Sequence, residues 1–361
     1  MISSRPDLAA VVAFGLAALL TALIVPLVRR AGLRWGLIDP PDARKQHTTP
    51  MVRLGGIGIV AGFVVALLIL WMLGGFVQLP QPDNPIWTTL AGCLCFFVIG
   101  LADDLFALPP LPRLVLQLGV AAAVWSQGVR IGSIELPFGL LGHDPGVIDL
   151  SPGFSLLATV LWLVGITNAI NWLDGLDGLA AGVSGIAAVG LLSVSYSLNQ
   201  PAPGLLAAAL AGSCLGFLRH NFNPARIFMG DGGSYFLGFA LAAISIIGPA
   251  KALTSVSLLL PLLILSLPVA DMSAVIMGRL RQGRSPFYPD RRHLHHRLLR
   301  AGVSHRRTVV LIYAFTQWLV ALALVLANAE LRFLWLALAT AILVAVIVIA
   351  RRQIENEHRR S

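Results

Sequence analysis

An all-α, polytopic integral membrane bundle of about eleven transmembrane helices, spread over a single domain 1–361, follows from three features of the chain. Hydrophobic residues make up 57% of the 361, only 12% are charged, and mean hydropathy is +0.82. Soluble domains carry about a quarter charged residues. Apolar runs long enough to cross a hydrocarbon core of about 30 Å recur from end to end. The basic residues, finally, fall almost entirely into alternate connections.

The runs are approximately 8–28, 54–74, 86–102, 113–127, 154–172, 179–198, 204–219, 234–248, 254–278, 308–327 and 333–350. The first, Leu8 to Val28, is longer than a signal-peptide core and ends in Arg29-Arg30 without a small-residue cleavage site, so it is expected to be a span. Between the fifth and sixth, the glycines and acids of Asp174 to Gly178 predict a turn or unwound segment rather than one broken helix. From Val129 to Gly153, Ile131, Ile134, Leu136, Val147, Ile148 and Leu150 alternate with glycine and proline, the pattern of a short hairpin. Cys93, Cys95 and Cys214 lie inside apolar runs, where thiols act as small hydrophobes, and no disulfide framework is implied.

Connections 29–53, 102–113, 219–233 and 279–307, with the tail 351–361, hold 22 of the 26 Lys and Arg. Because Lys and Arg accumulate in short cytoplasmic loops, the amino terminus is expected outside and the carboxyl terminus inside. The net charge of +9 is then topogenic and lipid-facing, with no call for nucleic acid.

On this topology Asp103, Asp104, Asp174, Asp177 and Asp231 gather at the cytoplasmic face, beside or within apolar segments where charge is costly and by default functional. Asp83, Glu135, Asp144 and Asp149 lie outside, in ordinary polar loops. Asp pairs and Asp-Gly dipeptides also cap helices and make turns. Three acidic clusters on one membrane face favour a site instead. Hard carboxylate oxygens suit Mg²⁺ or Mn²⁺, and Mg²⁺ is usually shared with substrate phosphates. Arg and His clusters on the same face would offset the remaining negative charge. The combination points to phosphoryl transfer, with catalysis by positioning and charge stabilisation.

Four motifs then carry a resemblance: Asp103-Asp104; Asn168-Ala-Ile-Asn171-Trp-Leu-Asp174-Gly-Leu-Asp177-Gly-Leu; Ile227-Phe228-Met229-Gly230-Asp231-Gly-Gly-Ser234; and His293-Leu-His295-His296. In order and topological position they resemble the polyprenyl-phosphate N-acetylhexosamine-1-phosphate transferases, over nearly the whole chain. Arg226 to Gly238 and Ser285 to His296 look most like the bacterial UDP-GlcNAc:undecaprenyl-phosphate GlcNAc-1-phosphate transferases that begin O-antigen, enterobacterial common antigen or teichoic acid linkage synthesis. They look less like the phospho-MurNAc-pentapeptide transferases, which have three consecutive histidines.

The resemblance implies a transferase domain, a cytoplasmic active site in the bacterial inner membrane, UDP-GlcNAc and undecaprenyl phosphate as substrates, and Mg²⁺ as cofactor. Asp231 would be the principal metal ligand, joined by Asp104 and Asp174. Asp103 and Asp104 would handle the lipid phosphate, one deprotonating it or helping to place the metal. A covalent aspartyl intermediate stays open, although direct attack on the β-phosphate of the nucleotide sugar needs only alignment and charge stabilisation. Asn168, Asn171, Asp174 and Asp177 recur every three residues, a drift of about 60° per step, so they wrap around an axis rather than line one stripe. By resemblance they serve uridine and metal, with Phe228 stacked on the base and Asn221 beside it. His293, His295 and His296 would contact the sugar diphosphate, and Lys45 and His47 of the first cytoplasmic loop are further substrate contacts.

Asp271, inside the ninth run, has two readings of equal weight: support of the site or its lipid phosphate, and a hydrogen bond between helices. Three other functions compete. A secondary transporter also keeps intramembrane acids, but near the midplane between inverted repeats, and no repeat is visible. The motifs of an intramembrane aspartyl protease and of a CDP-alcohol phosphatidyltransferase are incomplete. Transport and the same chemistry on another UDP-linked N-acetylated amino sugar are the alternatives kept. Gly178 and Gly182 offer close packing, within the bundle or in a homodimer.

Overall fold

The computed structural model describes residues 6–38, 50–74, 85–135, 146–248, 259–285 and 292–358. Lys45 and His47 lie outside the described residues, as do residues 286–291 of the basic connection before His293. The described chain is almost entirely helical. Its elements are α1 Pro6–Arg34, α2 Gly55–Met72, α3 Pro85–Phe106, α4 Pro110–Ser126, β1 Ser133–Glu135, β2 Val147–Asp149, α5 Pro152–Leu173, α6 Leu179–Ser197, α7 Pro201–Asn221, α8 Gly230–Ile247, α9 Leu259–Ile264, α10 Ser266–Leu280, α11 Leu294–Arg300, α12 His305–Leu326 and α13 Arg332–His358.

Proline opens α4, α5 and α7, where its missing N–H costs nothing and its fixed φ suits the first turn. The predicted hairpin forms: β1 and β2 pair antiparallel with Ser133 opposite Asp149, Ile134 opposite Ile148 and Glu135 opposite Val147.

Among the described residues nine helices are long and apolar enough to cross a membrane. They correspond to nine of the predicted runs. The run 113–127 forms α4, a helix of 17 residues. The run 254–278 is divided at Leu265 into α9 and α10. Pro268 sits in the first turn of α10, where a proline is tolerated; in an unbroken helix its ring would clash with the carbonyl four residues back, that of Ile264.

The bundle is organised around α8, whose apolar window is 94% buried, against 11% for α13. Helices α3 and α5 pack on α8 most extensively, and α2, α6 and α7 close the rest; α1 lies on α2 and α7, while α13 rests on α12. Small residues allow these approaches, as expected where dispersion must replace the hydrophobic drive between helices. A Cβ on Gly238 of α8 would come 2.6 Å from the Thr167 Cα of α5, and one on Gly56 of α2 would press on the backbone of Gly233. Phe96 of α3 stacks on Phe239 of α8 at 4.4 Å, and Phe63 of α2 meets Phe236 edge-on at 5.3 Å. Outward faces are equally apolar: Leu19, Leu23 and Leu27, one turn apart on α1, are each more than half exposed. Such an exposed stripe suits lipid rather than water.

Short as it is, α4 runs the same course as α5. Gln117 of α4 accepts from Asn168 Nδ2 (2.7 Å) near the carboxyl end of α5, and Trp125 Nε1 donates to Ser155 Oγ (3.0 Å) near its amino end. Ser155 and Thr159 also bind the backbone of Ile131 at the foot of the hairpin. The hairpin and the acidic motifs therefore occupy opposite ends of the bundle.

Candidate active site

Consecutive residues on a helix point about 100° apart, and Asp103 and Asp104 use this to do different things. Asp103, 7% exposed, pairs with Arg113 of α4 and also reaches the Asp231 carboxyl. Asp104 caps α8 from outside that helix: its Oδ1 accepts the Asp231 N–H at 2.8 Å and its Oδ2 the Gly232 N–H at 2.9 Å. A carboxylate on those orphan donors is stabilised by the helix dipole. Gly230 makes the approach possible, with φ +75° and so little room that a Cβ would lie 2.5 Å from Asp104 Oδ2. The glycine before Asp231 thus admits one of the chain's own carboxylates.

Asp231 is held on its other side by α5. Asn171 Nδ2 donates to Asp231 Oδ1 (2.7 Å) and to Ser234 Oγ (2.9 Å). Asp174, at the end of α5, is half-buried, and burial first, then the charge of Asp231, pushes its carboxyl up to about 7. Arg53, just ahead of α2, is the counter-charge common to Asp104, Asp174 and Asp231.

The other two members of the four-residue run bond to neighbouring elements. Asn168 donates to Gln117 Oε1 and to the Val164 carbonyl (2.8 Å). Asp177 Oδ2 accepts from Asn223 Nδ2 and the Ala225 N–H, both 3.0 Å. Asn221, 3% exposed, spans the same joint: its Oδ1 accepts the Gly178 N–H (3.0 Å) and its Nδ2 donates to the Ile227 carbonyl (2.9 Å). Asp177 and Asn221 therefore lock the 174–178 turn to the 222–229 segment. Half-buried Phe228 lies in that segment, its backbone bonded to Val52 and Gly55, both at 2.9 Å. Arg306 and Tyr313 of α12 close the joint from behind, on the carbonyls of Asn223 and Gly178.

The histidines come to the same end of the bundle. His293 Nδ1 pairs with Asp271 Oδ2 of α10 at 2.8 Å, and its ring meets Trp172, the neighbour of Asn171, edge-on at 5.9 Å. Arg279 of α10 stacks 4.9 Å from the Trp172 ring centroid. His295, 1% exposed, packs so closely on the turn that a Cβ on Gly175 would lie 2.5 Å from its Nε2. Among the described residues neither of its ring nitrogens has a hydrogen-bond partner, and burial, with His296 and His293 nearby, holds its pKa down to about 3. His295 is a neutral wedge against the turn. His296 lies beside it, half-buried, with ring centroids 4.3 Å apart.

Asp103, Asp104, Asn171, Asp174 and Asp231 thus form one polar cluster, with His293, His295 and His296 joined to it through Trp172 and Gly175. Sequence reasoning missed Arg53, Arg113, Gln117, Ser234 and Trp172. Arg113 and Gln117 carry a signal, two polar residues one helical turn apart where an apolar run begins. Among the described residues no three or more His, Cys, Asp or Glu form a ready-made metal cage. Mg²⁺ needs none, since one or two carboxylates, water and substrate phosphates complete its shell.

This geometry agrees with what the chain is similar to. Residues 86–249, from α3 to the end of α8, match the model of glycosyl transferase family 4. The chain is 34% identical to the probable undecaprenyl-phosphate N-acetylglucosaminyl 1-phosphate transferase of Bacillus subtilis (strain 168), over 91% of this chain and 87% of that protein. It is 37% identical to the decaprenyl-phosphate N-acetylglucosaminephosphotransferase of Mycobacterium leprae (strain TN), covering 82% and 78%. With the undecaprenyl-phosphate alpha-N-acetylglucosaminyl 1-phosphate transferase of Salmonella typhi it shares 29% identity, over 81% and 77%. Likeness sustained along the helices that carry the acids, and beyond them through the histidine segment, has one reading: the chain belongs to glycosyl transferase family 4.

Proposed function

We propose that the protein transfers N-acetylglucosamine 1-phosphate from UDP-GlcNAc to undecaprenyl phosphate, releasing UMP, at the cytoplasmic face of the bacterial inner membrane. One observation carries the reading: Asp231, bonded to Asn171 and beside Asp103, Asp174 and Arg53, stands where an apolar bundle ends in a charged cluster. A lipid-borne phosphate and a soluble nucleotide can meet only at such a boundary.

An oxygen of the lipid phosphate would attack the β-phosphorus of UDP-GlcNAc. The bond from that phosphorus to the bridging oxygen breaks, and UMP leaves with the electron pair. Arg53 would stabilise the charge gathered on the phosphates. Asp103, tied to Arg113 and adjoining Asp231, is placed to hold a proton of the incoming lipid phosphate. Asn171 fixes the Asp231 carboxylate, and the Asp104 cap fixes the backbone beneath it.

Mg²⁺ fits these donors. Burial first and then the charge of Asp231 push Asp174 up to about 7, and a divalent cation would relieve the repulsive part. Asp104, its two oxygens each accepting a backbone N–H, would add a remaining lone pair or support from behind. When bound, the ion would supply charge neutralisation on the transferred phosphate.

The test incubates the purified protein with labelled UDP-GlcNAc and undecaprenyl phosphate, with and without Mg²⁺. Metal-dependent labelled lipid and equimolar UMP are expected, and the absence of both would sink the proposal. UMP release compared across several UDP-N-acetylated amino sugars fixes the donor.

A further inference from the structure

We infer that Asp271 is a positioning residue for the transfer, holding His293 in one tautomer and anchoring the start of α11 against the site. Its carboxylate is used twice. Oδ1 accepts the Leu294 N–H at 2.6 Å, and Oδ2 meets His293 Nδ1 at 2.8 Å. Both side chains are nearly closed to solvent, at 8% for Asp271 and 9% for His293. An ionised carboxylate only accepts, so Nδ1 carries the proton and Nε2 remains for another partner. The same arrangement, a carboxylate fixing the tautomer and angle of an imidazole, sets the chemistry of catalytic and metal-bound histidines elsewhere.

What His293 touches connects this pair to the acidic cluster. Its ring is edge-on to Trp172 at 5.9 Å, and Trp172 follows Asn171, which holds Asp231. Arg279, two helical turns beyond Asp271, stacks on that tryptophan. On its other side His293 stacks parallel to His295, with centroids 5.7 Å apart and planes at 9°, and His295 rests on Gly175. Rotation of His293 would therefore disturb both the α5 tip and the turn carrying Asp174. A carboxylate in an apolar segment is costly, and apolar contacts alone could hold α10 to α11. The two hydrogen bonds, to His293 and to Leu294, account for a charge at this position.

The inference rests on the phosphosugar-transfer reading, in which His293 contacts the sugar diphosphate. Its test compares Asp271→Asn, Asp271→Ala, His293→Ala and the Asp271→Asn/His293→Ala double variant in the purified full chain. UMP release from UDP-GlcNAc and undecaprenyl phosphate is followed. Asparagine can still accept from Leu294, but its amide can only donate to Nδ1 and so imposes the opposite tautomer. Asp271→Asn is expected to lower kcat about 10- to 100-fold, with KM for UDP-GlcNAc changed less than about threefold. In the His293→Ala background the same change should add less than about twofold, since Asp271 acts through His293. A kcat for Asp271→Asn within about twofold of wild type, or losses that multiply in the double variant, would overturn the inference. Hydrogen exchange at the Leu294 amide reads the anchor separately: Asp271→Ala should speed it and Asp271→Asn should not, and unchanged protection in Asp271→Ala removes the anchor. A wild-type protein that releases no UMP would count against the reaction, while that exchange measurement would still decide the anchor.

Discussion

At the scale of single residues, the cluster separates charge from geometry, and the two can be tested apart. In Asp231→Asn the amide oxygen still accepts from Asn171 Nδ2, so the local fold keeps that bond, while the negative charge is lost and the second acceptor oxygen becomes an NH2 donor. Turnover is expected to fall by at least about 10²- to 10³-fold, the scale of losing one preorganised electrostatic group, with an unchanged melting temperature in detergent. Near-normal rates would remove Asp231 from the reacting centre. His295 makes the opposite case, a residue whose value lies in being uncharged. Its folded pKa of about 3 is below the ordinary value of about 6.5, so between those values the unfolded chain binds a proton that the folded chain does not. Stability attributable to His295 is therefore full above about pH 6.5 and is lost as pH falls toward 3. At pH 5 the loss amounts to about 1–2 kcal/mol. Melting temperatures at pH 7.5 and 5 should show a smaller acid-induced drop in His295→Asn than in wild type. Equal drops would mean that the ring is hydrated and free to protonate.

At the scale of elements, the site depends on how closely α3 and α8 approach. Gly100 of α3 lies against the first turn of α8, where an added Cβ would press on the Asp231 carbonyl and come 2.6 Å from the Gly232 nitrogen. Gly100→Ala should move the α8 start away from the Asp104 cap, costing about 1–3 kcal/mol of stability and at least about tenfold in kcat. Gly119→Ala on α4, with open space around it, should leave kcat unchanged and should not lower stability. A fully active Gly100→Ala would show that the cap tolerates slippage. Such dependence is poorly legible in a sequence. Apolar run lengths predict the long helices, because burial of backbone polar groups in lipid leaves little choice, and the hairpin follows from Ile, Val and Leu spaced between glycines and prolines. The split of α9 from α10 was visible only as Pro268 inside an apolar run, which the hydropathy pattern ignores. Partner choice was less legible still: Asn168 and Asn171, one turn apart, bind α4 and α8 respectively, and only packing decides which goes where. The apolar run predicts a helix around Asp271, but the partners of its carboxylate lie 22 and 23 residues further along the chain.

At the scale of the whole molecule, the number of crossings and the side of the site are one question. If the nine long helices cross, the termini lie on opposite sides only when α4 and the α9–α10 pair both cross or both fail to cross. The bonds from α4 to both ends of α5 require α4 to run the same depth as its neighbour. Asp271 and Arg279 of α10 reach the acidic end, where α5 terminates and α8 begins. Since α8 ends at Gly248, against Pro203 at the start of α7, the chain leaves it at the opposite end and must return through α9 and α10. We therefore propose eleven crossings, with the amino terminus outside by the distribution of Lys and Arg, and labelling tests both. Single cysteines introduced at Ser3 and Ser361, in a chain freed of its native thiols, should be labelled from opposite sides: Ser3→Cys by an impermeant reagent on intact cells, Ser361→Cys only after lysis. A cysteine at Asn223, on the 222–229 segment beside Asp177, should behave as the one at Ser361 does. Labelling of Asn223→Cys in intact cells would place the acidic cluster outside, where neither a cytoplasmic nucleotide sugar nor the positive-inside bias could be reconciled with it.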